Sequence, residues 1–322
     1  MYKIKLVPEK TNIQFLKYRF MAFGLSVLLI IGSAAMFFGP GLNKGIDFEG
    51  GILIEVEMPQ APDLGNMRGS LGDLGLGQVS LQTFGSDKDI LIRVQKQPGG
   101  AEAQQEAVAV VKTQLNSDFS DEISYRRVEF VGPTVSEELV WAAIEAVIVA
   151  VFAILVYIWL RFEWHYSVGA IIALMHDVIL TIGMFALTGI EFNLASVAAI
   201  LTIVGYSIND TVVVYDRIRE NFRRYKKMEV SELINFSINE TLARTTMTSL
   251  TTLLALISLY IFGGEVIRGF ATAMIFGVVV GTYSSIFVAA PVLLQTGLTH
   301  RSEEDDGFKS AEQTEPDADE KG

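Results

Sequence analysis

Six apolar runs, each long enough to cross a bilayer as a single helix, decide what this 322-residue chain can fold into. A spanning helix needs about 20 largely apolar residues. Hydrocarbon also admits only backbones that satisfy their own hydrogen bonds. The runs fall near 20–38, 139–160, 165–188, 192–215, 246–263 and 268–296. Composition agrees, with 50% hydrophobic residues and 19% charged ones, against about 25% charged in an ordinary soluble domain. The expected fold class is an α-helical membrane protein with six transmembrane helices. The first run outlasts the short apolar core of a secretory signal, so it reads as an uncleaved anchor.

Charge gives the orientation. Lys3, Lys5, Lys10, Lys17 and Arg19 precede the first run, and Arg217, Arg219, Arg223, Arg224, Lys226, Lys227 and Arg244 lie between the fourth and fifth. Basic flanks stay in the cytoplasm. The expected plan is a cytoplasmic N-terminal segment at 1–19, transmembrane helix 1 at 20–38, an extracytoplasmic domain at 39–138, helices 2–6 within 139–296, and a cytoplasmic tail at 297–322. The tail is acidic and poor in aromatics, so it is expected to be disordered. Between the fourth and fifth runs, 217–243 is basic and amphipathic, with Leu233, Ile234 and Phe236 expected at the cytoplasmic membrane surface. The net charge of −12 is unfavourable for nucleic acid, and the absence of cysteine excludes a disulfide scaffold, a zinc–cysteine site and a thiol nucleophile.

The polar stretch 39–138 alternates between strand and helix signals. GILIEVEM (51–58), VSLQTF (79–84), DILIRVQK (89–96) and ISYRRVEFVG (123–132) read as strands. The segments 63–75 and 101–115 read as helices, giving the order β-α-β-β-α-β of a ferredoxin-like α+β domain. It carries no metal cluster, phosphate loop or catalytic triad, so a docking module is expected and not an enzyme; no cofactor is implied.

Ionisable groups inside spans are costly, and each is a functional candidate. Four qualify: Glu145, His176, Asp177 and Asp210. Glu145 lies near an end of its span and can snorkel. Gly169, Ala173, Asp177 and Thr181 recur every four residues and place Asp177 on a seam of small residues, where another helix can approach. Thr202, Tyr206 and Asp210 share a similar line, flanked by Ser207 and Asn209. In the last span Gly269, Ala273, Gly277, Gly281, Ser285 and Ala289 form a small-residue stripe suited to tight packing. A carboxylate such as Asp210, near Arg244 at a span edge, is suited to exchanging a proton as its surroundings change. An intramembrane aspartyl protease using Asp177 and Asp210 is disfavoured, because the chain lacks a GxGD sequence, and HExxH is absent too.

At these residues the chain resembles the SecF proteins of the SecD/SecF family, within the RND superfamily. The resemblance is carried by GIDFEGG (45–51), VGPTVSEEL (131–139), ALMHDV (173–178), VGYSINDTVVVYDRIREN (204–221), ARTTMTSLTTLL (243–254) and LYIFGG (259–264). It implies a six-helix half of an RND-type bundle in a bacterial inner membrane. It also implies a SecD partner, association with the SecYEG channel and YajC, and use of the proton-motive force to export unfolded polypeptide. The fourth-span aspartate and the arginine opening the fifth span, linked in this family to proton conduction, match Asp210 and Arg244. On this reading Thr202, Tyr206, Asn209, His176 and Asp177 supply the polar lining. Gly45, Asp47, Gly50, Gly51, Gly132 and Pro133 serve as hinges of the outer domain. The alternative within the superfamily is half of a proton-driven exporter of small molecules or lipids.

Overall fold

The computed structural model describes residues 11–119 and 123–299. The basic residues before Thr11 and the acidic tail beyond 299 lie outside the described residues. The chain divides into two compact units, one built from Leu42–Ile148 with Ile190–Val197 and the other from the remaining chain.

The first unit is a four-stranded sheet with helices. A short helix α2 (Ile46–Glu49) follows the first long helix α1 (Arg19–Phe38) and leads into β1 (Gly51–Glu57), α3 (Leu64–Gly72), β2 (Val79–Phe84), β3 (Ser86–Val94), α4 (Gly100–Phe119) and β4 (Ser124–Val131). The strands are antiparallel in the order β2-β3-β1-β4. Register puts Ile52 opposite Val94, Ile54 opposite Ile92 and Val56 opposite Ile90. That face meets Met67 and Leu71 of α3 and Ala107, Val111 and Leu115 of α4 in one core. The α4 residues recur at helical spacing, which is why this stretch buries one stripe. Asp63 starts α3 by accepting from the Gly65 and Asn66 amides at 2.8 and 3.3 Å. The opposite face of β1 is covered as well: Leu53 packs with Ile46 and Leu91, and Glu55 is buried. The central strand is thus enclosed on both sides, where alternation suggested one.

Helix α5 (Pro133–Arg161) begins one residue after β4, earlier than the run near 139 suggests. Proline favours the first helical turn, where its missing N–H costs nothing, and polar 133–138 extend the helix beyond its apolar part.

The second unit is helical. Helices α6 (Trp164–Thr188), α7 (Leu194–Arg224), α8 (Val230–Phe262) and α9 (Glu265–Ser284) follow. The last span continues through a π turn at Ser285–Ala289 into α10 (Ala290–Gln295). Among the described residues six helical segments are long and apolar enough to cross a membrane. Gly189, in the left-handed region at φ 66°, closes α6.

The segment 217–243 differs from expectation. Both helices run through it, leaving only 225–229 between them. Leu233 and Ile234, expected at the membrane surface, are fully buried in the helical core with Ile218 and Phe222, and Phe236 packs edge-on against Tyr225 at 5.7 Å. The polar residues zip the two helices together. Arg217 donates to Glu240 at 2.7 and 2.8 Å, and Asn221 donates to Ser237 at 2.9 Å and to Glu240 at 2.8 Å. Charges pairing across a hairpin look, in sequence, like a solvated loop.

The small-residue stripe does pack tightly. A Cβ at Gly277 would overlap Ile203, and one at Gly281 would press on Ser207, so α9 lies directly on α7. Gly183 likewise accommodates Ser33 of α1. Gly277→Val is expected to destabilise the helical unit by about 1–3 kcal/mol, the usual cost of overpacking. Thermal unfolding in detergent reads it, and an unchanged midpoint would show the contact to be loose.

Candidate functional site

Two carboxylates on neighbouring helices define the site. Asp177, on the small-residue seam of α6, is 0% exposed. One oxygen lies 2.8 Å from His176 Nδ1, and the other accepts from Ser207 of α7 at 2.5 Å and Ser284 of α9 at 2.7 Å. Three donors on three helices satisfy one buried acceptor, as burial in a medium of low polarity demands. Gly281 makes this possible by letting α7 approach until Ser207 reaches the carboxylate. The His176 ring lies 6.0 Å from that of Tyr283, whose hydroxyl donates to the Ala22 carbonyl of α1 at 2.9 Å. Among the described residues His176 Nε2 is buried without a hydrogen-bond partner.

Polar contacts continue along α7. Thr211 and Ser285 join their hydroxyls at 2.9 Å, and Tyr215 donates to the Ala289 carbonyl at 3.0 Å. Ser285 and Ala289 bound the π turn, a geometry that recurs at functional sites because it shifts side chains and exposes backbone groups. Gly169 leaves room for the Tyr215 hydroxyl.

Asp210 is the second carboxylate. It is 2% exposed, and one of its oxygens is buried with no hydrogen-bond partner among the described residues. The Ser249 hydroxyl of α8 and the Arg244 cation act on it, and Ser249 in turn meets Thr282 of α9 at 2.7 Å. Arg244 itself is exposed, and among the described residues no direct ion pair joins it to Asp210. Attraction between them therefore acts across a gap.

The expected polar lining splits in two. Tyr206 is half-buried with a buried, unpartnered hydroxyl. Thr202 and Asn209 are exposed, and the Thr202 hydroxyl turns back to the Ala198 carbonyl at 2.7 Å. Steps of four overshoot the 3.6-residue turn by about 40° each, so a line drawn through 202, 206 and 210 winds around the helix. Thr202, Gly205 and Asn209 form one exposed face of α7, and Arg244, Thr248 and Thr251 one exposed face of α8. Glu145 is exposed on α5. Sequence reasoning missed Ser284 altogether and took Ser285 only as a small residue. The signal was the Ser284-Ser285 pair inside an apolar span, since two adjacent hydroxyls address two different helices.

The hinge candidates sit in the sheet unit. Gly50 and Gly51 adopt φ 70° and 119°, and Gly51 abuts the Val94 carbonyl, so close approach at positive φ explains both. Gly132 alone links β4 to Pro133, the first residue of α5.

Residues 110–299 match the family described as protein export membrane protein SecD/SecF, C-terminal, and residues 35–58 match the SecD/SecF GG motif. The chain belongs to the SecD/SecF family. The protein translocase subunit SecF of Rickettsia felis is 48% identical over 292 residues, covering 91% of this chain and 94% of that one. That of Rickettsia bellii is 46% identical, covering 91% and 96%. The solved structure of SecDF, a translocon-associated membrane protein from Thermus thermophilus, superposes with a TM-score of 0.81 at 35% identity. The match covers 90% of this chain and 39% of that one. A SecDF structure in a super-membrane-facing form gives 0.66 at 35% identity, covering 96% and 41%. The chain thus spans well under half of the solved SecDF chains. It is a multi-pass membrane protein of the SecF translocase-subunit type, and its GIDFEGG segment, which leads into β1, lies within the residues that match the GG motif.

Proposed function

We propose that this SecF-family chain joins a SecD partner in a bacterial inner membrane and that the pair uses the proton-motive force to draw unfolded polypeptide outward from the SecYEG channel, with YajC as an accessory. The carrying observation is Asp210, a buried carboxylate with an unpartnered oxygen, beside two helix faces that expose polar groups. Lipid cannot satisfy the exposed Asn209 and Arg244 side chains well, which favours a second helical bundle against those faces and so supports the SecD assignment. Binding a proton removes the charge that Arg244 attracts, and releasing it restores that attraction. The contacts between α7, α8 and the partner then have two states, which a gradient can drive in turn. Tyr206 and Asn209 line the path, with His176 and Asp177 holding the neighbouring helices in register.

The basic residues Lys17 and Arg19 at the start of α1 and Arg217 to Arg224 at the end of α7 support a topology with cytoplasmic termini and an outside sheet unit. Its β-α-β-β-α-β order and antiparallel β2-β3-β1-β4 sheet support a ferredoxin-like docking module. The test is export of a secreted protein from vesicles carrying SecYEG, its motor and this chain with or without SecD. The reading requires that a proton gradient stimulate export only when both subunits are present. Equal export with either subunit omitted would overturn it.

A further inference from the structure

The connection between α6 and α7 is built into the sheet unit. Residues Ile190–Val197 cluster with Leu42–Ile148. The Gly45 amide donates to the Phe192 carbonyl at 2.9 Å and the Phe192 amide to the Asn43 carbonyl at 2.7 Å, forming a parallel bridge between Lys44 and Phe192. The Asp47 carboxylate accepts from the Leu194 amide at 3.0 Å, capping the first turn of α7 from another part of the chain. Asn193 and Ser196 complete that cap reciprocally, each accepting from the other's amide at 3.2 Å. From β3, Arg93 pairs with Glu191 and donates to Asn43 at 2.9 Å. A Cβ at Gly45 would meet the Glu191 carboxylate and come within 3.2 Å of the Asn193 Cβ, so glycine there lets the two segments close up.

We propose that the GG-motif segment and Arg93 form a permanent clamp on the head of α7, so that the sheet unit and the first turn of the Asp210-bearing helix move as one body. The proposal rests on the proton-coupled reading above, and it makes Asp47, Arg93 and Glu191 positioning residues. Gly45, Gly50 and Gly51 then permit close packing and do not act as a swivel. Displacement of α7 reaches the sheet without crossing a loose joint.

The chain has no cysteine, so Lys44→Cys with Phe192→Cys gives a single crosslinkable pair across the bridge. In vesicles with SecD, oxidation is expected to close the disulfide rapidly and to the same yield with and without a gradient, and to leave gradient-stimulated export within about twofold of the reduced form. Arg93→Glu is expected to lower gradient-stimulated export roughly fivefold or more, the lower end of usual coupling between sites, while sparing export without a gradient. Adding Glu191→Arg is expected to restore it. A yield that drops in one state, or export lost on oxidation and regained on reduction, would show that the joint opens and overturn the proposal. An unaffected Arg93→Glu variant would overturn it too. Failure of the proton-coupled reading is distinct, since the wild type would then ignore the gradient while the disulfide yield still reports the clamp.

Discussion

Asp210→Asn is expected to abolish the gradient-stimulated part of export, by at least about tenfold, while export without a gradient and the amount of protein in the membrane stay at wild-type levels. The substitution keeps the size of the side chain and an oxygen that the Ser249 hydroxyl can still reach. It removes only the capacity to gain and lose a proton and to attract Arg244. The size of the effect follows from coupling: site-to-site linkage is typically 5–150-fold, and this substitution removes one end of the link entirely. Undiminished stimulation in the variant would leave Asp210 a packing residue.

Asp177→Leu is expected to destabilise the helical unit by about 2–5 kcal/mol. Leucine fits the seam but accepts nothing, so the His176 ring and the Ser207 and Ser284 hydroxyls all lose their shared acceptor. An orphaned buried donor costs about 1–3 kcal/mol in soluble proteins, and hydrogen bonds between membrane helices average about 0.6 kcal/mol, reaching roughly 1.7. Three of them bracket the stated range. Asp177→Asn, which keeps a carbonyl acceptor, is expected to lose about 1 kcal/mol. Unfolding in detergent measures both, and a Leu variant as stable as wild type would show that the centre does not hold the helices together.

How much was legible in the sequence depends on the period involved. The six spans were readable because roughly 20 consecutive apolar residues have no other use. The small-residue stripe of the last span was readable too, since Gly277 and Gly281 mark where α7 lies. The ends of α7 and α8 were not. Arg217 looks like the end of a span when its partner Glu240 is 23 positions away and unseen. Faces were misjudged for a geometric reason, because a four-residue spacing drifts around a 3.6-residue helix, and Thr202 and Asp210 end on different sides. Ser284 was overlooked because a hydroxyl in an apolar run usually bonds its own helix, as that of Thr202 does. Likewise no local pattern could tell that Arg93 of β3 would meet Glu191, nearly a hundred residues on.

Whether Asp210 exchanges a proton is tested most directly by difference infrared spectroscopy on the SecD-paired chain in vesicles, comparing wild type with Asp210→Asn as the pH is lowered. The account predicts a protonated-carboxyl stretch that grows in the wild type and is missing from the variant. Identical difference spectra for the two proteins would contradict it, since Asp210 would then neither bind nor release a proton.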